Sequence, residues 1–414
     1  MRTAEDFVAA APWLTQPPLS ELLAILDGDG EEARVIGGAV RNALFGEPPG
    51  DIDIATTALP QEVSRRAEKA GFRTVPTGIE HGTVTIVAHG RPFEVTTLRE
   101  DIETFGRKAV VRFGRNWQAD AERRDFTINA LAATRDGRVI DLVGGLADIE
   151  ARRVRFIGEP AQRIREDFLR ILRFFRFHAR YGDGAPDAGG LAAAIMLRAG
   201  LELLSRERVH AEIAKLLVAP GAAPVLRVMV DAGLLTPILG VPLIAQFARL
   251  AAVEEAFALP PDAVRRLGAL AVHVTDDADR LRVRLRLSNR ENERLAAMAD
   301  GWRSVAPGDE KPARALLYRL GSERYLDHAL FAWSRSGAAP DDPAWRVFAT
   351  LPERWSAPEF PLAAADFIAR GVAAGPALGA ALARAEEAWI ATDFPTDAAI
   401  VTALADACAA FNRD

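Results

Sequence analysis

The chain has 414 residues, of which 49% are hydrophobic and 26% are charged, and a formal net charge of −6. That length exceeds what one core usually serves and the composition is that of a folded protein, so a single compact domain and a disordered chain are both excluded. The apolar runs fall short of the roughly 20 residues that a membrane span requires, so we expect no membrane span. The start is acidic, with Glu5 and Asp6, which differs from a secretory signal and predicts a cytoplasmic protein. Cys408 is the one cysteine, so no internal disulfide is expected.

The first half of the chain alternates strand and helix patterns, and a candidate phosphate-binding turn comes early. A short apolar strand, Ala33 to Ile36, runs into Gly37-Gly38, and a helix follows as far as Phe45. Glycines in such a turn let backbone N–H groups approach a phosphate, and Arg41 can reach the same anion. The alternative is a plain tight turn. A Walker-type loop is excluded because no Lys-Ser/Thr follows the glycines.

The segment from Asp51 to Ala55 alternates Asp and Ile, which predicts a strand with both aspartates on one face. At a rise of about 3.3 Å per residue, the carboxylates of Asp51 and Asp53 would lie about 7 Å apart. That separation suits two Mg²⁺ ions, which can activate a hydroxyl and stabilise a leaving oxygen. The alternative is a solvated strand end. Glu94, on a strand expected beside this one, would complete the metal site, act as a general base or face solvent.

Further elements complete the expected sheet. We expect a helix from Pro60 to Ala70, a hairpin of Thr83 to Ala88 with Pro92 to Leu98 through His89-Gly90, and a hairpin of Ala130 to Thr134 with Val139 to Leu142 through Asp136-Gly137. Between the hairpins, the segment from Arg99 to Trp117 is polar and basic and has no steady periodicity. This pattern predicts a mobile loop.

After about residue 160 the pattern is helical with short breaks. A helix over residues 162–181 would put Asp167 and Arg170 on one face, where a carboxylate acceptor and a guanidinium donor can read the Watson–Crick edge of a base. Arg173 and Arg176 continue at the same step and can reach the phosphates. The alternative is a solvated arginine-rich helix with internal ion pairs. Nine arginines against three acidic residues between Arg152 and Arg180 form a basic patch, as expected where phosphates meet one face of an acidic chain.

Eleven further helices are expected, with no repeat period. They cover residues 190–198, 205–217, 221–232, 243–257, 261–272, 288–304, 310–319, 323–335, 363–371, 377–391 and 396–411. The residues beyond 220 contain no motif that identifies a function by itself.

Five motifs follow one another between residues 34 and 217, about half of the chain. They are Gly37 to Arg41 with Asp51 to Thr56, Arg123 to Leu131, Asp141 to Asp148, Glu166 to Arg173, and Leu204 to Arg208. Their sequences and order resemble the signature of the class II tRNA nucleotidyltransferase and bacterial poly(A) polymerase family. One residue departs from the pattern, because the family usually has Asp where this chain has Asn42. Asn keeps the hydrogen bonding of that position and removes its charge.

The resemblance implies roles for particular residues. It implies metal binding by Asp51 and Asp53, triphosphate binding by Gly38 and Arg41, and binding of the nucleotide sugar and phosphates by Arg124 and Asp125. The resemblance also implies that Asp167 and Arg170 form the amino-acid template that selects CTP or ATP. Any other base would leave hydrogen-bonding groups of this template unpaired. The segment from Arg99 to Trp117 resembles the flexible element that such enzymes require to change from adding C to adding A.

The resemblance also implies an α+β fold. A polymerase-beta-type nucleotidyltransferase head, a mixed sheet with helices, would occupy residues 1–150. A helical neck for base recognition would occupy residues 151–220, and a helical body and tail that bind tRNA would occupy residues 221–414. The expected cofactor is Mg²⁺, as two ions, and the expected partners are the tRNA 3′ end, CTP and ATP, with no membrane and no obligate protein partner.

The implied activity is addition of C, C and A to tRNA with release of pyrophosphate. A bacterial poly(A) polymerase, a CC-adding or A-adding half-enzyme, and a catalytically silent RNA-binding protein are the alternatives. The sequence has no basic insertion after the Asp strand, which disfavours poly(A) polymerase. It retains Asp51, Asp53 and Arg124, which disfavours a silent scaffold.

Overall fold

The computed structural model describes residues 3–78, 82–105 and 108–410. The chain forms two compact units, Met1–Ile238 and Leu239–Asp414. Strands and helices mix in the first unit, whereas the second is helical, as the predicted α+β class requires. In the described part of the chain, no helix combines the length and the apolar character that crossing a bilayer requires.

The first unit is built on a mixed sheet. Its strands are β1 (Ala33–Ile36), β2 (Asp53–Thr56), β3 (Arg73–Gly78), β4 (Thr83–Ala88), β5 (Arg91–Thr97), β8 (Ala132–Ala133) and β9 (Val139–Ile140), and a separate hairpin contains β6 (Arg99–Phe105) and β7 (Lys108–Phe113). The seven strands lie in the order β3-β4-β5-β2-β1-β8-β9. Strands β2 and β5 run parallel, and the other neighbours run antiparallel. The parallel pair therefore joins the Asp strand directly to the strand that carries Glu94.

The described part of the first unit also contains twelve α-helices, the last of which ends at Leu239. They are α1 (Ala4–Ala10), α2 (Leu19–Leu26), α3 (Gly38–Phe45), α4 (Pro60–Lys69), α5 (Trp117–Glu122), α6 (Gly145–Glu150), α7 (Pro160–Glu166), α8 (Leu169–Tyr181), α9 (Ala188–Met196), α10 (Arg206–Leu217), α11 (Ala222–Asp231) and α12 (Thr236–Leu239). Helix α8 is buried around most of its circumference. The ring centroid of Phe177 lies 5.3 Å from that of Phe126, and Phe174 lies 5.4 Å from Phe156. These aromatic contacts fix α8 against the segments that follow α5 and α6.

The second unit contains ten helices in its described residues. They are α13 (Ile244–Ala256), α14 (Ala263–Ala271), α15 (Thr275–Leu285), α16 (Asn289–Ala299), α17 (Glu310–Ser336), α18 (Pro343–Ala349), α19 (Leu351–Arg354), α20 (Ala364–Ile368), α21 (Pro376–Ala391) and α22 (Ala398–Ala410). Gly321, with φ 73°, interrupts α17. Trp333 and Tyr325, both fully buried, lie in the core between α13, α17 and α18.

The predicted continuous helix over residues 162–181 is wrong, because α7 ends at Glu166 and α8 begins at Leu169. Asp167 between them is extended, with φ −154° and ψ 108°. Its Oδ1 accepts the backbone N–H of Leu169 at 3.1 Å. A short acidic side chain that caps the next helix competes with continuation of the first one, and this explains the break.

The prediction that the segment from Arg99 to Trp117 is a loop is also wrong, because β6 and β7 pair in it and α5 begins at Trp117. Its mobility stays a prediction. Residues 106 and 107, between the two strands, lie outside the described residues. The pairing register shifts between Asp101 and Glu103. Such a shift moves the side-chain alternation by one residue, so the segment lacks the steady period of two by which strands are predicted.

Candidate active site

The glycine pair forms the turn between β1 and α3. Gly37 has φ 69° and ψ −123°, which only glycine adopts without strain. A side-chain carbon at Gly37 would come within 3.6 Å of Arg124 Nη1. Helix α3 begins at Gly38, and the first N–H groups of a helix have no partner within it. The turn therefore brings two motifs together and offers N–H donors to an anion.

Arg41 is a buried arginine, 8% exposed, and its hydrogen-bond partners are neutral. Its Nη1 donates to Asn129 Oδ1 at 2.5 Å, and its Nη2 and Nε donate to Asn42 Oδ1 at 2.8 and 3.2 Å. The guanidinium carbon lies 4.3 Å from the ring centroid of Tyr181 and 5.1 Å from that of Phe177. Burial lowers the pKa of Arg41. Since no described carboxylate forms an ion pair with it, this buried cation is unfavourable unless an anion binds.

Carboxylates gather on the other side of the same motif. Strand β2 begins at Asp53, so Asp51 precedes the strand that was predicted to contain it. Asp53 lies opposite Glu94 in the parallel register of β2 and β5, and Glu94 lies opposite Thr85 of β4. Asp51, Asp53, Thr85 and Glu94 line one cavity of about 640 Å³. The prediction that Glu94 neighbours the Asp strand is confirmed.

The electrostatics of this cleft fit a divalent cation. Burial raises the pKa of Asp53, and the carboxylates of Glu94 and Asp51 raise it further, against the opposing effect of Arg124. A cation would relieve this repulsion between carboxylates. In the residues that the structure describes, no three His, Cys, Asp or Glu side chains form a complete metal-binding group. Mg²⁺ suits such a cleft, because it is usually held by one or two carboxylates together with substrate phosphates and water.

Asp125 connects the second motif to α8. Its Oδ2 accepts from Arg173 Nε at 2.8 Å and Nη2 at 2.5 Å, and its Oδ1 accepts from Asn129 Nδ2 at 3.0 Å. Burial raises the pKa of Asp125, but Arg173 and Asn129 outweigh this effect and hold the pKa below its ordinary value. Because Asn129 also accepts from Arg41, one chain of hydrogen bonds runs from α3 to α8. The neighbouring Arg124 donates to Asp120 Oδ2 at 2.9 Å.

Asp167 and Arg170 have separate partners. Asp167 Oδ2 accepts from Arg208 Nη2 at 2.6 Å. Arg170 Nη1 donates to Glu166 Oε2 at 2.5 Å and to the Arg163 carbonyl at 2.7 Å. The prediction that these two side chains share a face of one helix is wrong, because the chain leaves the helical conformation at Asp167. A cavity of about 670 Å³ borders Asp167 and Arg208.

Arg173 and Arg176 follow on the half-buried face of α8. Arg176 Nε lies 2.5 Å from Glu212 Oε2, and its guanidinium carbon lies 4.2 Å from the ring centroid of Phe177. Arg173 lies against the same ring at 5.2 Å. Acidic residues of other segments thus hold both arginines, Asp125 for Arg173 and Glu212 for Arg176. Their contact with phosphates stays a prediction.

Several residues that organise this site were not predicted. Asn129 joins Arg41 to Asp125, Arg208 holds Asp167, and Arg163 Nη2 donates to the carbonyls of Arg123 and Arg124 at 2.5 and 2.6 Å. Each lies in or near a motif, and Asn129 is only four residues from Asp125, but the other partners are 39 to 88 residues away. Sequence spacing carries no signal for such pairs, and only the motifs themselves could have drawn attention to Asn129 and Arg208.

Two protein-family models match parts of this chain, and one of them covers most of the residues of the site. Residues 33–155 match the model described as poly A polymerase head domain. Residues 191–247 match the model described as probable RNA and SrmB-binding site of polymerase A.

Similar proteins cover nearly the whole chain. Mitochondrial CCA tRNA nucleotidyltransferase 1 of Mus musculus is 34% identical over 390 residues, which are 90% of this chain and 86% of that protein. The CCA-adding enzyme of Limosilactobacillus fermentum is 35% identical over 386 residues, which are 92% and 94% of the two chains.

Solved structures agree with this similarity. The crystal structure of the Bacillus stearothermophilus CCA-adding enzyme in complex with CTP has a TM-score of 0.73 and 28% identity, and the match covers 96% of this chain and 99% of that one. The Thermotoga maritima CCA-adding enzyme complexed with tRNA has the same fold, with a TM-score of 0.68 and 18% identity over 96% and 97% of the chains.

Proposed function

We infer that this chain, which belongs to the family of CCA-adding tRNA nucleotidyltransferases, adds C, C and A in turn to the 3′ end of tRNA from CTP and ATP. One observation carries this inference. The first unit contains a buried cation, Arg41, and a cluster of carboxylates around Asp53. Among the described residues neither Arg41 nor Asp53 forms an ion pair, although Asp125 attracts Arg41 and Arg124 attracts Asp53. A nucleoside triphosphate with bound Mg²⁺ matches both, because its phosphates pair with the guanidinium and its cations pair with the carboxylates.

We propose Asp51 and Asp53 as the ligands of two Mg²⁺ ions. When bound, the ions supply charge neutralisation at the phosphates and activation of the attacking hydroxyl. The raised pKa of Asp53 supports this role, because full ionisation of the cleft is unfavourable without added positive charge. Glu94, in register with Asp53, is proposed to orient the 3′ hydroxyl and accept its proton.

The triphosphate is proposed to lie along the glycine turn. The backbone of Gly38 allows close approach, and Arg41 and Arg124 supply positive charge. Arg41 has five N–H donors and uses three of them on Asn42 and Asn129. The remaining donors are proposed to meet phosphate oxygens. Asp125 is buried and accepts from both Arg173 and Asn129. It is proposed to hold these two side chains around the sugar and phosphates.

Base selection is proposed for Asp167 and Arg170, with Arg173 and Arg176 beside them on α8. The contacts of Asp167 with Arg208 and of Arg170 with Glu166 support a fixed arrangement of one acceptor and one donor. Such an arrangement favours C or A over bases with a different donor and acceptor pattern, since a mismatched base leaves buried polar groups unpaired.

The proposed chemistry is an in-line substitution. The 3′ hydroxyl oxygen of the RNA forms a bond to the α-phosphorus of CTP or ATP, and the bond from that phosphorus to the bridging oxygen breaks. Pyrophosphate leaves with the electron pair, and the hydroxyl proton passes to Glu94 or to water. The protein contributes positioning and electrostatic stabilisation.

The rest of the chain is proposed to bind RNA. Residues 1–150 would form the catalytic head, residues 151–220 the neck that recognises the base, and residues 221–414 the body and tail that hold the tRNA. The match of residues 191–247 to a probable RNA-binding model supports RNA contact at the end of the first unit.

The test uses three RNAs: tRNA that ends at its discriminator base, tRNA that ends in C-C, and an unrelated RNA. Each is incubated with Mg²⁺ and with CTP, ATP or both. We expect addition of C-C-A and then arrest, on tRNA only. Long A tails on any RNA would identify a poly(A) polymerase, and products that stop at C-C, or extension of tRNA-C-C alone, would identify a half-enzyme. The absence of any transfer would contradict an enzymatic function.

A further inference from the structure

The departure from the family pattern at Asn42 has a structural counterpart. Asn42 Oδ1 accepts from the Arg41 guanidinium and from the Tyr181 hydroxyl, the latter at 3.0 Å. Its Nδ2 donates to the Pro48 carbonyl at 3.0 Å. Amide orientation is fixed by these partners, because the opposite orientation would put an oxygen against a carbonyl and an N–H group against a guanidinium. The side chain is therefore held at both ends.

These contacts join three separate segments. Arg41 and Asn42 lie on α3, Tyr181 is the last residue of α8, and Pro48 lies in the segment that leads to Asp51. An Asp at position 42 could accept from Arg41 and Tyr181 but could not donate to the Pro48 carbonyl. It would also place an anion directly beside the buried guanidinium. With Asn42, no carboxylate of the described chain forms an ion pair with Arg41, and Asp125 attracts the guanidinium without contacting it as an ion pair.

Tyr181 acts on Arg41 in two ways. Its ring lies under the guanidinium at 4.3 Å, which restricts the plane of the group, and its hydroxyl fixes the amide oxygen that accepts from Nη2 and Nε. The ring of Phe45 also stacks on the ring of Tyr181, with centroids 5.0 Å apart. A change from Tyr181 to Phe would thus remove one hydrogen bond and leave the stacking in place.

We propose that Asn42 and Tyr181 are positioning residues, which hold the Arg41 guanidinium in the orientation that binds the triphosphate of the incoming nucleotide. The proposal rests on the proposed function, since it requires that Arg41 binds phosphates. It assigns to the end of α8 a second task beside base selection. Both residues act through Arg41 and need no contact with the nucleotide themselves.

The test compares binding of CTP with binding of cytidine, which has the base and sugar but no phosphate. With Tyr181→Phe, we expect CTP affinity to fall about 3- to 10-fold, the effect of one ordinary hydrogen bond, and cytidine affinity to stay within about 2-fold. Asn42→Ala should weaken CTP binding at least as much, and Asn42→Asp, which keeps the acceptor, should restore part of it. Tyr318→Phe is the matched control, since its hydroxyl donates to Glu386 at 2.6 Å in the other unit.

A double-mutant cycle separates positioning from general damage. In an Arg41→Met background, Tyr181→Phe should cause no further loss of CTP affinity. Unchanged CTP binding in Tyr181→Phe would overturn the proposal, and so would equal losses for CTP and cytidine, or additive losses in the double variant. Wild-type protein that adds C-C-A while Tyr181→Phe binds CTP normally would leave the proposed function intact and refute only the positioning role. If Asn42→Ala fails to fold, the Tyr181 cycle still decides the question.

Discussion

Arg41 in the first unit and Arg265 in the second are both nearly excluded from solvent, with 8% and 6% of their surface exposed. Their partners differ in charge. Arg265 donates to Asp327 Oδ1 at 2.8 Å and to Glu254 Oε1 at 2.9 Å, whereas the partners of Arg41 are amide oxygens and aromatic rings. Arg265 is thus ion-paired in its region, whereas Arg41 forms no ion pair with the described residues.

The carboxylates of the two regions differ in the same way. Asp327 is 1% exposed and lies between Arg265 and Arg294, with Arg294 Nη2 at 2.8 Å from its Oδ1. Asp53 has carboxylates as neighbours, and its pKa is raised. Removing one partner of a buried ion pair is strongly destabilising, whereas a buried charge without an ion-pair partner is a candidate for ligand binding. Burial alone does not separate the two cases.

The largest expected effect is on the stability of the second unit. Asp327→Asn should lower the free energy of unfolding by about 3 kcal/mol, because the buried Arg265 and the half-buried Arg294 each lose one of their carboxylate partners. Glu254 and Asp262 remain as partners of these two guanidinium groups. The amide oxygen of the substituted side chain still accepts hydrogen bonds, which keeps the loss near the lower end of the roughly 3 to 5 kcal/mol expected when one partner of a buried ion pair is removed. Chemical denaturation measures it. Nucleotide transfer per folded molecule should be unchanged, and a stability equal to wild type would remove the contrast between the regions.

An effect of similar size is expected on catalysis. Asp53→Asn should lower the rate of nucleotide transfer by about 10²- to 10³-fold or more, as expected when a group that stabilises the transition state is lost. Its melting temperature should equal or exceed that of wild type, because the substitution relieves repulsion with Glu94 and Asp51. Asp136→Asn, at an exposed hairpin turn, is the control. Near-full activity of Asp53→Asn would refute the metal assignment.

A smaller effect is expected on nucleotide binding. Arg41→Met should weaken CTP binding about 10- to 100-fold, the contribution of a charge-assisted hydrogen bond to a phosphate, and should change stability little. Arg265→Met, the matched variant of the second unit, should leave CTP binding unchanged and lower stability, because Glu254 and Asp327 lose a partner. Titration calorimetry and denaturation distinguish the two. Similar behaviour of both variants would contradict the distinction between them.

The smallest effect is a dependence of stability on pH. His328 is buried, its ring nitrogens have no hydrogen-bond partner among the described residues, and burial lowers its pKa below 6.5. In the unfolded chain the His328 ring binds a proton near pH 6.5, whereas in the folded chain it binds one only at lower pH. Stability is therefore fully present above pH 6.5 and falls below it, by up to about 1.4 kcal/mol per pH unit until the folded pKa is reached. His328→Phe should flatten this slope between pH 6.5 and 5, and exposed His273→Phe should not.

The elements near the site were predictable because their signals are local. The strands at Ala33–Ile36 and Thr83–Ala88, and the turn of His89 and Gly90 between β4 and β5, follow from apolar patterns and turn residues, and the structure confirms them. The neighbour relation of Glu94 and Asp53 was also predicted. It follows from placing an apolar hairpin beside a short strand whose two faces differ.

Other elements were missed for identifiable reasons. Helix α15 contains alternating arginines and apolar residues from Arg280 to Leu285, a period of two that is typical of strands, although Leu281 and Leu285 at helical spacing are the buried ones. Strand β3 contains Pro76 and lies at the edge of the sheet, where proline is tolerated. In both cases the tertiary contacts override the local pattern.

The hydrogen-bond partners within the site could not be predicted. Residue types and motifs identify Arg41, Asp125 and Asp167, but nothing in the sequence pairs them with Asn129, Arg173 or Arg208. These pairs depend on how α8 and α10 pack against the segment after α5. The neutral hydrogen-bond partners of Arg41, which support the proposed function most directly, were visible only in the folded chain.

The most direct test of the central claim is the sequence that the protein adds. A tRNA without its terminal triplet is incubated to completion with Mg²⁺ and all four nucleoside triphosphates together, and the new 3′ ends are sequenced. The account predicts C-C-A on nearly every extended molecule, with no U, no G and no further residues. Homopolymeric A tails, mixed sequences or unextended tRNA would contradict it.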